Sequence, residues 1–129
     1  MIVDTSAVMA ILLGEPTAAE LAHAILTCEG RARMSAPTRV ETAVVAHRRL
    51  ALGAEPLIAE LDIETVPFTQ EHSEVAAEAY RRFGKGSGSP PRLNLGDTYS
   101  YALARVTGAP LLYVGDDFTH TDVVPALPA

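Results

Sequence analysis

The sequence predicts an α/β fold, a three-layer α/β/α sandwich around a mostly parallel central sheet. Short apolar runs that read as buried strands alternate with longer segments of helical periodicity, and such alternation implies a parallel sheet covered on both faces. The length, 129 residues, is that of one domain and allows a sizeable core, so residues 1–129 are expected to form a single unit. Hydrophobic residues at 48% and charged residues at 20% are ordinary for such a domain, and no internal repeat is visible.

Residues 1–3 form an apolar run ending at Asp4, a buried strand. Thr5 and Ser6 can cap a helix over residues 7–13, which breaks at Gly14-Glu15-Pro16. Thr17 opens a second helix, with Ala18, Leu21, Ala22, Ile25 and Leu26 at helical spacing, stopping near Glu29-Gly30. Residues 32–36 read as a short strand. Pro37-Thr38 starts a third helix, proline being tolerated in a first turn, and Gly53 ends it. A short helix over 56–61 and a strand over 63–66 follow. Thr69 caps a helix running to Phe83 through Val75, Ala76, Ala79 and Tyr80. Residues 84–91, rich in glycine and serine and closed by two prolines, read as a mobile loop beside the site. Asn94 caps a helix over 96–106 that ends at Gly108; residues 111–114 form a strand, Gly115-Asp116-Asp117 a tight turn, and 122–124 a last short strand.

The longest apolar stretches, such as residues 7–13, are too short to span a bilayer, and the chain starts without a basic leader or long apolar segment. Cys28 is the single cysteine, so no intrachain disulfide can form, and the expected compartment is the cytoplasm. The net charge of −6 gives no general attraction to phosphates. Bound divalent cations can reverse that sign locally, so the charge neither supports nor excludes a nuclease.

The acids are more informative. Asp4 and Asp116 each follow an apolar strand, and both therefore belong at the carboxyl edge of the sheet, where α/β proteins gather ligands. Glu41 and Asp97 lie in the first turns of helices. If those helices start at the same edge, four carboxylates converge from distant parts of the chain and repel one another unless protons or cations neutralise them. An all-oxygen site suits Mg²⁺ or Mn²⁺, and the lack of paired cysteine-histidine spacing argues against zinc. Mg²⁺ held by few carboxylates keeps water ligands, one of which can become the nucleophile for phosphodiester cleavage. Each acid also has an ordinary structural role. Asp97 and Glu41 suit the positive end of a helix, Asp116 and Asp117 suit a turn, and Asp4 suits a helix cap. Taken singly, none identifies a site.

Local motifs supply the specificity. Met1-Ile2-Val3-Asp4-Thr5-Ser6-Ala7 resembles the opening of PIN domains, in particular VapC-type toxins. Residues 95–104, with Asp97 opening a small-residue-rich helix, resemble their second acidic motif; residues 111–118 followed by Thr121-Asp122 resemble the closing one; and Glu41 matches the intermediate glutamate. Order, spacing and length agree over essentially the whole chain. The resemblance implies a PIN-like fold and a Mg²⁺-dependent endoribonuclease, with Mn²⁺ substituting. It makes Asp4 and Asp97 the main metal ligands, with Glu41 and Asp116 completing the pocket. Asp116 is favoured over its neighbour Asp117 because it is nearer the strand end. Thr5 and Ser6 support the pocket, and Ser6 is the one expected to contact metal-bound water or phosphate. The resemblance further implies an RNA substrate cut by in-line attack of water, a VapB-type antitoxin that occludes the site, and a homodimer. Arg39, Lys85 and Arg92 are lesser candidates for RNA phosphate contacts, with solvated surface the competing role.

Three alternatives fit less well. A phosphatase of the haloacid dehalogenase type needs a second aspartate where Ser6 stands. A receiver domain needs an acidic pair after its first strand and a late lysine, whereas the one lysine, Lys85, is in a loop. A non-catalytic Mg²⁺-binding module has no need for all four acids. No serine-histidine-aspartate arrangement is apparent, and with 5% aromatics and no tryptophan an extended base-stacking platform is not expected.

Overall fold

The structure is a computed structural model, which describes residues 1–88, 90 and 92–128. In chain order the elements are β1 (Ile2–Val3), α1 (Thr5–Leu12), α2 (Ala18–Thr27), β2 (Arg33–Ser35), α3 (Ala36–Leu50), α4 (Glu55–Glu60), β3 (Glu64–Val66), α5 (Gln70–Phe83), α6 (Leu95–Thr107) and β4 (Leu111–Leu112). The strands form one sheet in the order β3-β2-β1-β4, with every pair parallel. Ile2 pairs with Arg33 on one side and Leu111 on the other. The chain steps outward from β1 through β2 to β3, then returns to the far side of β1 for β4. This reversal makes a topological switch point between β1 and β4, and the loops leaving their carboxyl ends part to leave a crevice.

Successive strand residues face opposite sides of the sheet. Val3, Met34 and Leu112 enter a core with Val8, Leu21, Ile25, Ala46 and Ile58, supplied by α1 to α4. Ile2 and Leu111 enter the opposite core, with Ala79 of α5 and Tyr101 and Leu103 of α6. The expected three-layer α/β/α sandwich is thus present, with a central sheet that is wholly parallel.

Several boundaries differ from expectation, each for a local reason. Helix α1 starts at Thr5 because Asp4, in extended conformation, accepts a hydrogen bond from Ser6 N; Asp4 is therefore the N-cap instead of Thr5 or Ser6. Helix α3 stops at Leu50, before Gly53, because Ala51 takes the left-handed cap conformation and its N–H reaches His47 O. Strand β4 ends at Leu112 because Val114 N turns out of the ladder to meet Ser6 Oγ at 3.0 Å. The segment expected as a last strand makes one parallel bridge, between Leu111 and Pro125. Leu111 N donates to Val124 O and Ala126 N to Leu111 O, both at 2.8 Å, while Pro125 has no N–H with which to extend the pairing. The glycine-rich loop is tied at its base, where Leu93 N donates to Phe83 O and Lys85 N to Leu93 O; of the expected loop, Ser89 and Pro91 lie outside the described residues. Among the described residues no helix is long and apolar enough to cross a membrane.

Candidate active site

Asp4 stands at the switch point, one residue beyond β1, and its backbone N–H donates to Leu112 O of β4. The side chain is nearly buried and receives three hydrogen bonds. Ser6 donates to Oδ2 twice, from its backbone N at 3.0 Å and from Oγ at 2.6 Å. Ser100 Oγ of α6 donates to Oδ1 at 2.6 Å. Ser6 Oγ also accepts from Val114 N, so one hydroxyl joins the end of β1 to the segment leaving β4. A carboxylate fixed by three donors is oriented rigidly, and hydrogen bonds to a charged acceptor are among the stronger ones.

Glu41 reaches the same region from the second turn of α3, not the expected first, because the helix already begins at Ala36. Thr5 Oγ1 donates to its Oε1 at 2.7 Å, and Thr42 Oγ lies 2.9 Å from Thr5 Oγ1. Thr42 in turn donates to Thr38 O within α3, so it is the contacts of Thr5 with Glu41 and Thr42 that tie the start of α1 to α3. Burial pushes the Glu41 carboxyl above its usual range; the Thr5 hydrogen bond pulls it down, and the charge of Asp4 pushes it up again.

Asp97 is the third residue of α6 and forms a capping box with Asn94. Asp97 N donates to Asn94 Oδ1 at 2.8 Å, and Asn94 N donates to Asp97 Oδ2 at 2.9 Å. The structural role that Asp97 was given from its position in the first turn is therefore real. It occupies one oxygen, and Oδ1 has no hydrogen bond among the described residues. Burial raises this carboxyl to about 7 against the opposing bond from Asn94, and the charges of Asp4, Asp117 and Glu41 add to the rise. Three carboxylates from three other parts of the chain thus act on Asp97.

Of the two adjacent turn aspartates, Asp117 is the one whose charge Asp97 feels. Asp116 lines a groove with Thr17, Glu20 and Leu21, to which Asp4, Glu41 and Asp97 do not contribute. The turn passes through Gly115 at φ 101, a conformation that an L side chain rarely adopts, and this redirects the residues after it. The basic candidates lie further out. Arg39 donates to Thr65 Oγ1 at 2.9 Å, while Lys85 and Arg92 are exposed, and none of the three pairs with an acid among the described residues. Asp122 serves the scaffold, accepting from Tyr101 Oη at 2.5 Å with Arg82 and Arg105 each 3.8 Å away.

Ser100 and Gly96 were not singled out from sequence. Ser100 was findable: it lies three residues after Asp97 and so shares its helix face. The contact of Gly96 with Glu41 joins positions 55 apart, and no local pattern announces it. Among the described residues no three Asp, Glu, His or Cys side chains already converge as a metal cage. The donor set nonetheless fits a hard divalent cation: all oxygen, and raised at Asp97 by burial first and by mutual repulsion after it.

Comparison with known proteins gives consistent results. Residues 1–124 match the family described as PIN domain. Ribonuclease VapC42 of Mycobacterium tuberculosis is 51% identical over 130 residues, with 98% of each chain covered. Ribonuclease VapC28 of the same organism is 42% identical over 131 residues, again with 98% of each covered. The crystal structure of M. tuberculosis VapC20, described as a sarcin-ricin loop cleaving toxin, superposes with a TM-score of 0.77 at 20% identity, covering 98% of both chains. A toxin-antitoxin complex from Klebsiella pneumoniae gives 0.71 at 18% identity, covering 99% of this chain and 98% of that one. The last two are likenesses of fold.

Proposed function

Because the chain belongs to the PIN domain family and, within it, to the VapC ribonuclease toxins, we propose that the acids at the β1/β4 switch point are its phosphodiesterase centre. Asp4 and Asp97 are the main ligands of Mg²⁺, for which Mn²⁺ substitutes, and Glu41 and Asp117 complete the pocket. Asp117 takes the place that its position nearer the strand end had given Asp116. One observation carries this reading: Ser100 of α6 bonds Asp4, Thr5 beside Asp4 bonds Glu41 of α3, and the Glu41 carboxyl lies against Gly96 beside Asp97, so acids from β1, α3 and α6 meet at one point. When bound, the cation supplies Lewis-acid stabilisation of the charge that builds on the phosphate in hydrolysis. The chain's own residues set the stage for it. Ser6 and Ser100 fix the direction of Asp4, Thr5 holds Glu41, and Asn94 leaves one oxygen of Asp97 open.

The substrate is RNA. Arg39, held by Thr65 and facing no acid among the described residues, is available to a flanking phosphate, with Lys85 and Arg92 as outer contacts. We read residues 1–129 as one cytoplasmic domain that forms a homodimer and is restrained by a VapB-type antitoxin covering the pocket; the antitoxin follows from membership of the VapC toxins.

Purified protein incubated with a mixed RNA pool tests the reading. Cleavage should require Mg²⁺ or Mn²⁺, stop with chelator, and vanish in Asp97→Ala. Cutting that persists in chelator or in that variant would assign the chemistry elsewhere. The same assay separates the turn aspartates. Asp117→Asn should lower turnover about 100-fold, the upper range for lost support of a metal site. Asp116→Asn should stay within about twofold, as for an ordinary surface substitution. Reversed effects would return Asp116 to the pocket.

A further inference from the structure

Gly96 is the second residue of α6, and its backbone is in the ordinary right-handed helical region. Glycine there is not required by the backbone, and alanine would be the better helix former. A β-carbon built at this position runs first into one group. The three nearest atoms all belong to the Glu41 carboxyl: Oε2, which it would overlap, Cδ at 2.6 Å and Oε1 at 2.9 Å. Glu41 lies against the start of α6 from one side and is held by Thr5 Oγ1 from the other. The N-terminal end of a helix carries partial positive charge, which suits a carboxylate resting on it.

We infer that Gly96 is a positioning residue, whose missing side chain is the seat that keeps the Glu41 carboxylate in the acidic pocket. The inference rests on the reading of Glu41 as a pocket acid. A methyl group at position 96 displaces the far end of a flexible side chain, which can swing away without disturbing packed backbone. The displacement therefore harms the pocket and leaves the fold intact. This separates Gly96 from a glycine required for a turn or for close backbone packing, where substitution destabilises.

Four variants test it: Gly96→Ala, Glu41→Asp, the two combined, and Glu41→Gln. Three quantities are measured for each: thermal melting, Mn²⁺ affinity without RNA, and kcat and KM on an RNA oligonucleotide cut by the wild type. Gly96→Ala should melt at the wild-type temperature or above it. Its kcat should fall about 100-fold, the scale of an ångström-sized misplacement of a reacting group, with KM little changed. Its Mn²⁺ affinity should weaken about tenfold. Aspartate is one methylene shorter and clears the added methyl, so the double variant should be about tenfold better than the product of the two single effects predicts. A wild-type kcat in Gly96→Ala, lowered melting in it, or single effects that simply multiply would each overturn the inference. Glu41→Gln separates the two layers. If it cleaves normally, the pocket role of Glu41 and the role of Gly96 both fall. If it collapses while Gly96→Ala does not, only the role of Gly96 falls.

Discussion

Asp97→Asn should lower RNA cleavage by about 1000-fold or more, beyond the 10–100-fold range of outer-shell changes, and should make the metal-free protein more resistant to heat at pH 8. The second effect follows from the raised carboxyl. In the folded chain Asp97 holds its proton up to about pH 7, whereas in the unfolded chain it releases it near the ordinary value of about 4. Between these values the folded state binds more protons, so stability falls as pH rises. Below about pH 4 both states are protonated and the contribution is fully present; above about 7 it has been lost. The cost of ionising Asp97 in the fold is on the order of 2–4 kcal/mol. Asparagine removes it and can still accept from Asn94 N. Melting in chelator should rise by about 7–15 °C at pH 8 for a chain of this size. At about pH 3, below the unfolded value of about 4, the variant and the wild type should nearly coincide. Equal melting at both pH values would show that neither burial nor the neighbouring charges strain Asp97. Retained cleavage would remove it from the chemistry.

Asp4→Ala should also abolish cleavage, but with the opposite effect on stability. The substitution removes the N-cap of α1, worth about 1 kcal/mol. It also takes from the buried Ser100 hydroxyl its 2.6 Å acceptor, leaving only Thr38 Oγ1 at 3.4 Å, at about 1–3 kcal/mol. Loss of the Asp4 charge relieves Asp97, but burial is the larger cause of the Asp97 shift, so the relief offsets only part of the damage. A net destabilisation of about 2–3 kcal/mol should appear as an earlier denaturant midpoint. Asp4→Asn supplies the control, because asparagine caps helices as well as aspartate does. It should lose cleavage with most of the stability kept. If Asp4→Ala melts like the wild type, the three hydrogen bonds to Asp4 do not hold the switch point together.

The contrast between these two acids shows how far one sequence can be read. Helical periodicity and the four apolar runs sufficed for the layers, because side-chain direction in strands and helices repeats regularly. Thr69 and Asn94 could be identified as caps because capping is decided within four residues. Edges were harder. Whether Asp4 or Thr5 begins α1 depends on where the β1 ladder stops, and the length of β4 depends on Ser6, more than 100 residues away. Nearness to the strand end favours Asp116 over Asp117, but the positive φ of Gly115 breaks the alternation on which such a choice depends. Ser100 was readable from helical spacing, whereas the seat of Glu41 at Gly96 exists only once α3 and α6 have met.

The tail that bridges Leu111 has a consequence for assembly. An unpaired strand at the margin of a sheet is a template on which another chain can add, the usual start of sheet-driven aggregation. Here β4 is such a margin, and Val124 and Ala126 already occupy the outward N–H and C=O of Leu111. The opposite margin, β3, is three residues long, carries Glu64 in an ion pair with Arg31, and runs directly into Pro67. Short length, fixed charge and proline are the devices that discourage strand addition. Neither margin of this sheet offers a long free ladder, so helices and loops are the surfaces this fold leaves most open to copies or partners.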